Sequence, residues 1–208
     1  TFGISKNYVK TLTDATATQM KRGLEWLGDA SIKNDSKIRV IFYYSGHGLP
    51  DEQTKEPYLI PVDVTGDHIE DGIKLSKLYI DLNNLTNDRI TVFLDACFSG
   101  GARNKSLLAR KGLKINPVDE EVNGDMVVFA SSSNKESSGV YTEKKHGYFT
   151  YFLLKILQEK RGIVSYGKVA DYIEKEVNEV TFNSSKPQTP NVKPSSKLNS
   201  DWENWKFR

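Results

Sequence analysis

Residues 90–101 read ITVFLDACFSGG. An apolar and β-branched run leads into Asp95, then into the single cysteine of the chain, Cys97, and then into small residues. A short apolar run bounded by turn residues is typical of a strand that is buried on both faces. Open α/β sheets bind their ligands beyond the carboxyl ends of the strands. Cys97 is therefore predicted to lie where such a sheet carries out its chemistry.

A second stretch of the chain has the same shape. Residues 38–48 read IRVIFYYSGHG, so a predicted buried strand over 38–44 is followed by His47 between two glycines. The other two histidines, His68 and His146, stand in polar loop sequences. Only His47 is therefore predicted to lie at the end of a buried strand, as Cys97 does.

The rest of the chain alternates between strand and helix patterns. A third buried strand is predicted over 126–130, MVVFA, and it runs into the polar residues 131–134. An edge or hairpin strand is predicted over 58–62, YLIPV, because Pro61 has no N–H to donate to a neighbouring strand. Apolar residues at helical spacing predict helices over 14–28, 74–86, 147–160 and 166–180. This alternation favours a parallel-rich sheet with helices on both faces. From residue 183 the composition turns to Ser, Pro, Lys and Asn, which predicts a mostly irregular end.

Composition narrows the class of protein. The 208 residues fit one large domain, and 29 basic against 27 acidic residues argue for neither nucleic acid nor a membrane as an obligatory partner. One cysteine excludes an internal disulfide and a zinc site made of several thiolates. No long apolar run or signal-peptide pattern is present, so we expect a cytoplasmic rather than a secreted protein.

The two strand ends together permit nucleophilic catalysis. A thiol attacks a carbonyl as the thiolate, so Cys97 needs a neighbouring base, and His47 is the candidate. The backbone N–H groups of Gly48 and Cys97 are candidate donors for the oxyanion that forms. Taken singly, a lone cysteine is more often a small buried hydrophobe and a histidine between glycines a turn residue. The joint pattern favours the catalytic interpretation.

These motifs resemble those of a known family. YSGHG at 44–48 and DACFSG at 95–100 are similar to the two active-site motifs of the caspase-like cysteine peptidases, closest to the metacaspase and bacterial caspase-homologue branch. His47 precedes Cys97 by 50 residues, a separation typical of caspases. The resemblance covers roughly residues 8–192. Further segments that resemble family landmarks are TDAT at 13–16, YLIPVD at 58–63, FASS at 129–132, GYFT at 147–150 and QTP at 188–190.

The resemblance implies a fold and a division of the chain. The expected fold is α/β, a caspase-like three-layer α/β/α sandwich with a mostly parallel central sheet. The peptidase domain would span 1–192, with a large-subunit-like part at 1–101, a linker at 102–124 and a small-subunit-like part at 125–192; residues 193–208 would form a C-terminal tail. Family domains open with a strand and a helix that precede anything seen here. We therefore expect an upstream segment, or a cleaved fragment of the same polypeptide, to complete the sheet.

The resemblance also implies an activity and its residues. Cys97 would form an acyl-enzyme with a protein or peptide substrate, and His47 would act as general base and acid. The N–H groups of Gly48 and Cys97 would form the oxyanion hole. The substrate cleft would be bordered by Ala130, Ser131 and Ser132.

Asp95 is the candidate for substrate specificity. Alternation along a strand points residues 95 and 97 to the same side, so the carboxylate and the thiol should face one cleft. A carboxylate attracts a cationic side chain, and the metacaspase-like enzymes, which have Asp at this place, prefer basic residues. The prediction is cleavage after Arg or Lys. In the alternative interpretation Asp95 only caps the turn or orients a backbone amide.

Two further expectations concern processing and metal binding. The polar linker is a candidate for self-cleavage, at one of the basic residues Arg103, Lys105, Arg110, Lys111 and Lys114. The chemistry requires no cofactor, but some metacaspases bind calcium through aspartates. Asp63 and Asp71 are the candidate ligands here, whereas Asn104 stands where a further acidic ligand is expected.

Two other functions remain open from the sequence. One is a catalytically silent caspase-like interaction module, although such relatives usually lack the cysteine or the histidine. The other is a hydrolase or acyltransferase of another class that uses Cys97 as its nucleophile.

Overall fold

The computed structural model describes residues 3–35, 38–86, 88–98, 115–133, 139–184 and 187–208. The strands in these residues are β1 (Val40–Pro50), β2 (Pro57–Ile60), β3 (Ile73–Lys74), β4 (Ile90–Cys97), β5 (Met126–Ala130), β6 (Val140–Tyr141), β7 (His146–Gly147) and β8 (Asn191–Pro194). The α-helices are α1 (Ala17–Ile32), α2 (Leu75–Asn83), α3 (Tyr148–Glu159) and α4 (Tyr166–Thr181). Each predicted helix is present, although α1 begins at Ala17 because Thr16 and Gln19 form a capping box there.

A six-stranded mixed sheet forms the centre, in the order β3-β2-β1-β4-β5-β8. The three middle strands β1, β4 and β5 run parallel, and β2, β3 and β8 pair antiparallel to their neighbours. The predicted α/β class is confirmed, and parallel pairing is confined to the middle of the sheet. The reason lies in the connections, since the six residues 51–56 between β1 and β2 allow a hairpin but no crossover.

The register divides the strand residues between two helical layers. Register partners of parallel strands point to the same face, so alternate residues of β1, β4 and β5 form two separate cores. One core joins Val92, Leu94 and Val128 to α2 through Leu78 and Leu82. The other joins Phe93 and Phe129 to α3 and α4 through Phe149, Ile173 and Val177. The expected three-layer sandwich follows from this division.

The C-terminal residues are more ordered than the sequence predicted. Residues 193–208 were expected to form a tail in a mostly irregular stretch, but they include the end of β8 and two short 3-10 helices. Phe207 is buried and stacks on the Tyr166 ring at 4.2 Å between centroids. The Trp202 ring packs edge-on against Phe129. Aromatic burial therefore holds this segment on the α4 side of the sheet.

The linker is described only in part. Residues 102–114, with the five candidate cleavage residues Arg103, Lys105, Arg110, Lys111 and Lys114, lie outside the described residues. Residues 115–124 contain no helix or strand, but they are not a fully exposed loop. Val122 is buried in the α2 core, and the Val118 N–H donates to the Lys55 carbonyl at 2.9 Å. Self-cleavage of the linker stays a prediction.

Among the helices of the described residues, none has the length and apolar character needed to cross a membrane.

Candidate active site

Parallel pairing places His47 beside Cys97. The pairing of β1 with β4 runs without a break from Val40 opposite Ile90 to His47 opposite Cys97. Adjacent strands lie about 4.8 Å apart, and register partners of parallel strands share a face. The two reactive residues predicted from sequence are therefore neighbours on the α3 side of the sheet. Cys97 is 5% exposed and His47 is half-buried.

Gly48 allows the two strand ends to approach closely. A Cβ at this position would lie 2.5 Å from the Phe98 ring and 3.1 Å from the Cys97 carbonyl oxygen. Any other residue would push this part of β1 away from the end of β4. Sequence reasoning gave Gly48 the role of an oxyanion donor, and the structure adds close packing against Phe98 as a reason for glycine at this position.

Tyr44 holds the part of β1 that carries His47, a role that sequence reasoning missed. The prediction that the strand ends at residue 44 is wrong, because β1 continues through His47 to Pro50. The Tyr44 hydroxyl donates to the His47 carbonyl at 2.7 Å and reaches the Ile60 carbonyl on β2 at 3.1 Å. Burial raises the pKa of Tyr44 well above its usual value, so the hydroxyl stays a donor. Gly46 leaves room for the hydroxyl, which would lie 2.6 Å from a Cβ there. The sequence signal that could have indicated this role is the YSGHG motif at 44–48, which begins with Tyr44.

Asp95 points to the same face as Cys97 but lies beneath α3. Its carboxylate is 0% exposed and accepts a 2.5 Å hydrogen bond from the Thr150 hydroxyl. The Tyr43 hydroxyl lies 2.7 Å from the same Thr150 oxygen, so Tyr43 donates to Thr150 and Thr150 to Asp95. A Cβ at Gly147 would overlap the Asp95 carboxylate. The charge thus lies against the first turn of α3, where the helix dipole favours it.

The proposed cleft border begins at the end of β5. Ala130 is half-buried and pairs with Leu94, while Ser131 and Ser132 are buried. The Ser131 hydroxyl donates to the Ala96 carbonyl at 3.2 Å, so this side chain contacts β4. Sequence reasoning gave no role to Gln188, but its side-chain amide nitrogen donates to the Ser131 carbonyl at 2.6 Å. Ser131 is thereby tied to the strand of the nucleophile.

Among the residues that the structure describes, the candidate calcium ligands do not form a cluster with other acidic residues. Asp63 accepts a 2.8 Å hydrogen bond from the Ala17 N–H and thereby caps the start of α1. Asp71 ends a short 3-10 helix at 66–71. Within the described ranges no group of three or more His, Cys, Asp or Glu side chains is arranged to hold a metal ion. Asn104 lies outside those ranges, and calcium binding stays a prediction.

Two of the solved structures that share this architecture show how far the likeness extends. The protein GSU0716 from Geobacter sulfurreducens is 18% identical, with a TM-score of 0.60 over 89% of this chain and 76% of its own. Caspase-1 from Spodoptera frugiperda is 12% identical, with a TM-score of 0.53 over 84% of this chain and 67% of its own. Likeness at these identities shows a caspase-like fold. Among curated proteins no match is found.

The sequence itself gives the family. The profile of the caspase domain, Peptidase C14, matches residues 2–199 and so takes in both active-site motifs. The predicted family is confirmed, while its metacaspase branch stays a prediction. This chain belongs to the caspase-domain family of cysteine peptidases.

Proposed function

We propose that this protein is a cysteine endopeptidase that acts through Cys97 and His47. The observation that carries the proposal is the register pairing of the two residues on β1 and β4. A base one strand away from a thiol, on the same face of the sheet, is the arrangement that nucleophilic catalysis needs. Retention of both residues side by side favours activity over the silent interaction module.

The reaction follows from the roles of the two side chains. His47 takes the thiol proton as the Cys97 sulfur attacks the carbonyl carbon of the scissile bond. The tetrahedral intermediate collapses, the C–N bond breaks, and His47 returns the proton to the leaving amine. Water then attacks the thioester while His47 takes a proton from the water, and the acid product leaves as the thiol re-forms. The N–H groups of Gly48 and Cys97 are the proposed donors to the oxyanion.

We further propose that the substrate residue before the scissile bond is Arg or Lys. Asp95 supports this because it lies two residues before Cys97, on the same strand and the same face. A carboxylate in a region of low dielectric favours a cationic side chain and disfavours an acidic one. The hydrogen bond from Thr150 supports the competing interpretation, in which Asp95 has only a structural role and fixes the first turn of α3.

We also propose that an upstream segment of the same polypeptide adds a strand beside β1. Within the described residues, β1 pairs with β4 along 40–47 but with β2 only along 47–50. The backbone of 40–46 therefore has one edge that no described strand covers. Such an edge is a ready template for another strand.

Amide hydrogen exchange tests the added strand. In a longer form of the polypeptide that includes the upstream segment, the amides of 40–46 should exchange more slowly than in residues 1–208 alone. The amides of β5, which has a strand on both sides, serve as the internal control. Equal exchange of 40–46 in both forms would contradict the proposal.

Substitution of the pair tests the peptidase mechanism. Cys97→Ala should abolish hydrolysis of fluorogenic peptide amides, and His47→Ala should lower kcat by at least about 10³-fold, because the nucleophile and base act as a unit. His68→Ala, at an exposed histidine that faces Glu70, is the matched control and should keep wild-type turnover. Turnover that survives in Cys97→Ala would show that another group is the nucleophile.

Asp95→Asn tests the preference for basic residues. The amide oxygen can still accept from Thr150, so the change removes charge while it keeps the contact with α3. We expect the preference for Arg and Lys over neutral residues, measured as a ratio of kcat/KM values, to fall by about 100-fold. Asp171→Asn, at an exposed carboxylate on α4, controls for net charge. An unchanged preference in Asp95→Asn would leave Asp95 only its role at the start of α3.

A further inference from the structure

The start of α3 covers the carboxylate that is proposed to select the substrate. Asp95 is buried, and its register partner on β1, Ser45, is exposed on the same face, so the way from solvent to Asp95 passes over β1. Two residues of a strand span about 7 Å, so Asp95 lies about that far from Cys97 along β4. A long basic side chain suits this distance. How firmly the carboxylate is held then affects how well it pairs with such a side chain.

Gly147 leaves the space that the carboxylate occupies. The backbone at Gly147 is extended, with φ −66° and ψ 152°, a conformation that every residue type can adopt. A Cβ there would overlap one carboxylate oxygen of Asp95 and would lie 2.8 Å from the other. The reason for glycine at this position is therefore the contact with Asp95 and not the backbone conformation. The turn before α3 is shaped around this side chain.

Thr150 and Tyr43 hold the carboxylate by a chain of two hydrogen bonds. The buried Thr150 hydroxyl donates to Asp95 at 2.5 Å. Because a hydroxyl has one proton, the Thr150 oxygen must accept from the Tyr43 hydroxyl, which lies 2.7 Å away. Tyr43 stands on β1, on the same face as Asp95. Hydrogen bonds to a charged group are short and strong, and a chain of them strengthens each member.

We propose that Thr150 and Tyr43 are positioning residues for Asp95 that set the preference for Arg and Lys, an inference that rests on the peptidase function and the specificity proposed above. A carboxylate that is already held in one orientation loses little freedom when a cation arrives, so more of the pairing energy discriminates between substrates. The hydrogen bond from Thr150 is compatible with this role. A carboxylate has about four acceptor sites, and one hydroxyl uses one of them.

Substitution of Thr150 and Tyr43 tests the inference. The readout is the ratio of kcat/KM values for two fluorogenic peptides that differ only in Arg or norleucine before the scissile bond. Thr150→Val should lower this ratio by about 10-fold, through a higher KM for the Arg peptide, and should leave the norleucine peptide unchanged. Thr150→Ser keeps the hydroxyl and should keep the ratio of wild type. Tyr43→Phe should lower the ratio by a smaller factor, about 3-fold, because Thr150 still donates to Asp95.

A second pair of hydroxyls on β4 provides matched controls. The buried Thr91 and Tyr166 hydroxyls lie 2.5 Å apart, near the start of β4 and so at the end opposite to Cys97. Thr91→Val and Tyr166→Phe remove the same groups as Thr150→Val and Tyr43→Phe. Both controls should lower the unfolding midpoint but leave the ratio for Arg over norleucine as in wild type.

The outcomes are distinct. An inactive wild type would overturn the proposed function, and this inference with it. An active wild type that cleaves the Arg and norleucine peptides equally well would overturn the role of Asp95, which this inference needs. A wild type that prefers Arg, with an unchanged ratio in Thr150→Val, would overturn this inference alone.

Loss of stability has its own signature. An equal fall of the ratio in Thr91→Val, or a fall in Thr150→Ser as large as in Thr150→Val, would show an effect of stability or packing and would overturn the inference. If Thr150→Val does not fold, the ratio in Tyr43→Phe, measured against Tyr166→Phe, decides in the same way.

Discussion

The active site depends on the parallel pairing of β1 with β4. Hydrogen bonds of the ladder bring together two residues that are 50 positions apart in the chain, and the register decides which residues meet. A slip of one residue would turn one reactive side chain to the opposite face of the sheet. The apolar residues on the two faces of β4 oppose such a slip, since each must reach its own helical layer. Core packing therefore sets the geometry of the site.

Buried polar contacts then fix the ends of these strands. Tyr44 holds the backbone of β1 at His47, Thr150 and Tyr43 engage Asp95 on β4, and Gln188 holds the end of β5 through Ser131. Each of these contacts joins an element of the site to a different part of the domain. In a low-dielectric interior a satisfied network of this kind is rigid, whereas an unsatisfied one is costly. The domain thus supports its reactive residues mainly by side chains that never meet the substrate.

Much of the fold and of the candidate site was predictable from the sequence, because it depends on local patterns or on a motif. The apolar runs at 90–97 and 126–130 indicated buried strands, and the glycine-flanked His47 and Cys97 indicated two residues that meet, although β1 continues through His47 to Pro50 and does not end before it. The burial of Gln188 was not predictable, because it lies in a polar, proline-containing stretch and its partners are distant in sequence. Strand alternation predicted the correct face of the sheet for Asp95, but it could not predict that the first turn of α3 covers this side chain. Likewise, the aromatic residues of 202–207 were visible in the sequence, but which core they join depends on long-range packing.

The most direct test of the account is covalent capture of the nucleophile. Incubation with an arginyl or lysyl chloromethyl ketone, followed by mass spectrometry of the intact protein and of its peptides, should show one adduct, located on Cys97. The same reagent should label His47→Ala far more slowly, because the histidine supplies the base for the thiol. Labelling of wild type and His47→Ala at equal rates, or no adduct on Cys97, would contradict the claim that the β1–β4 register builds a catalytic pair.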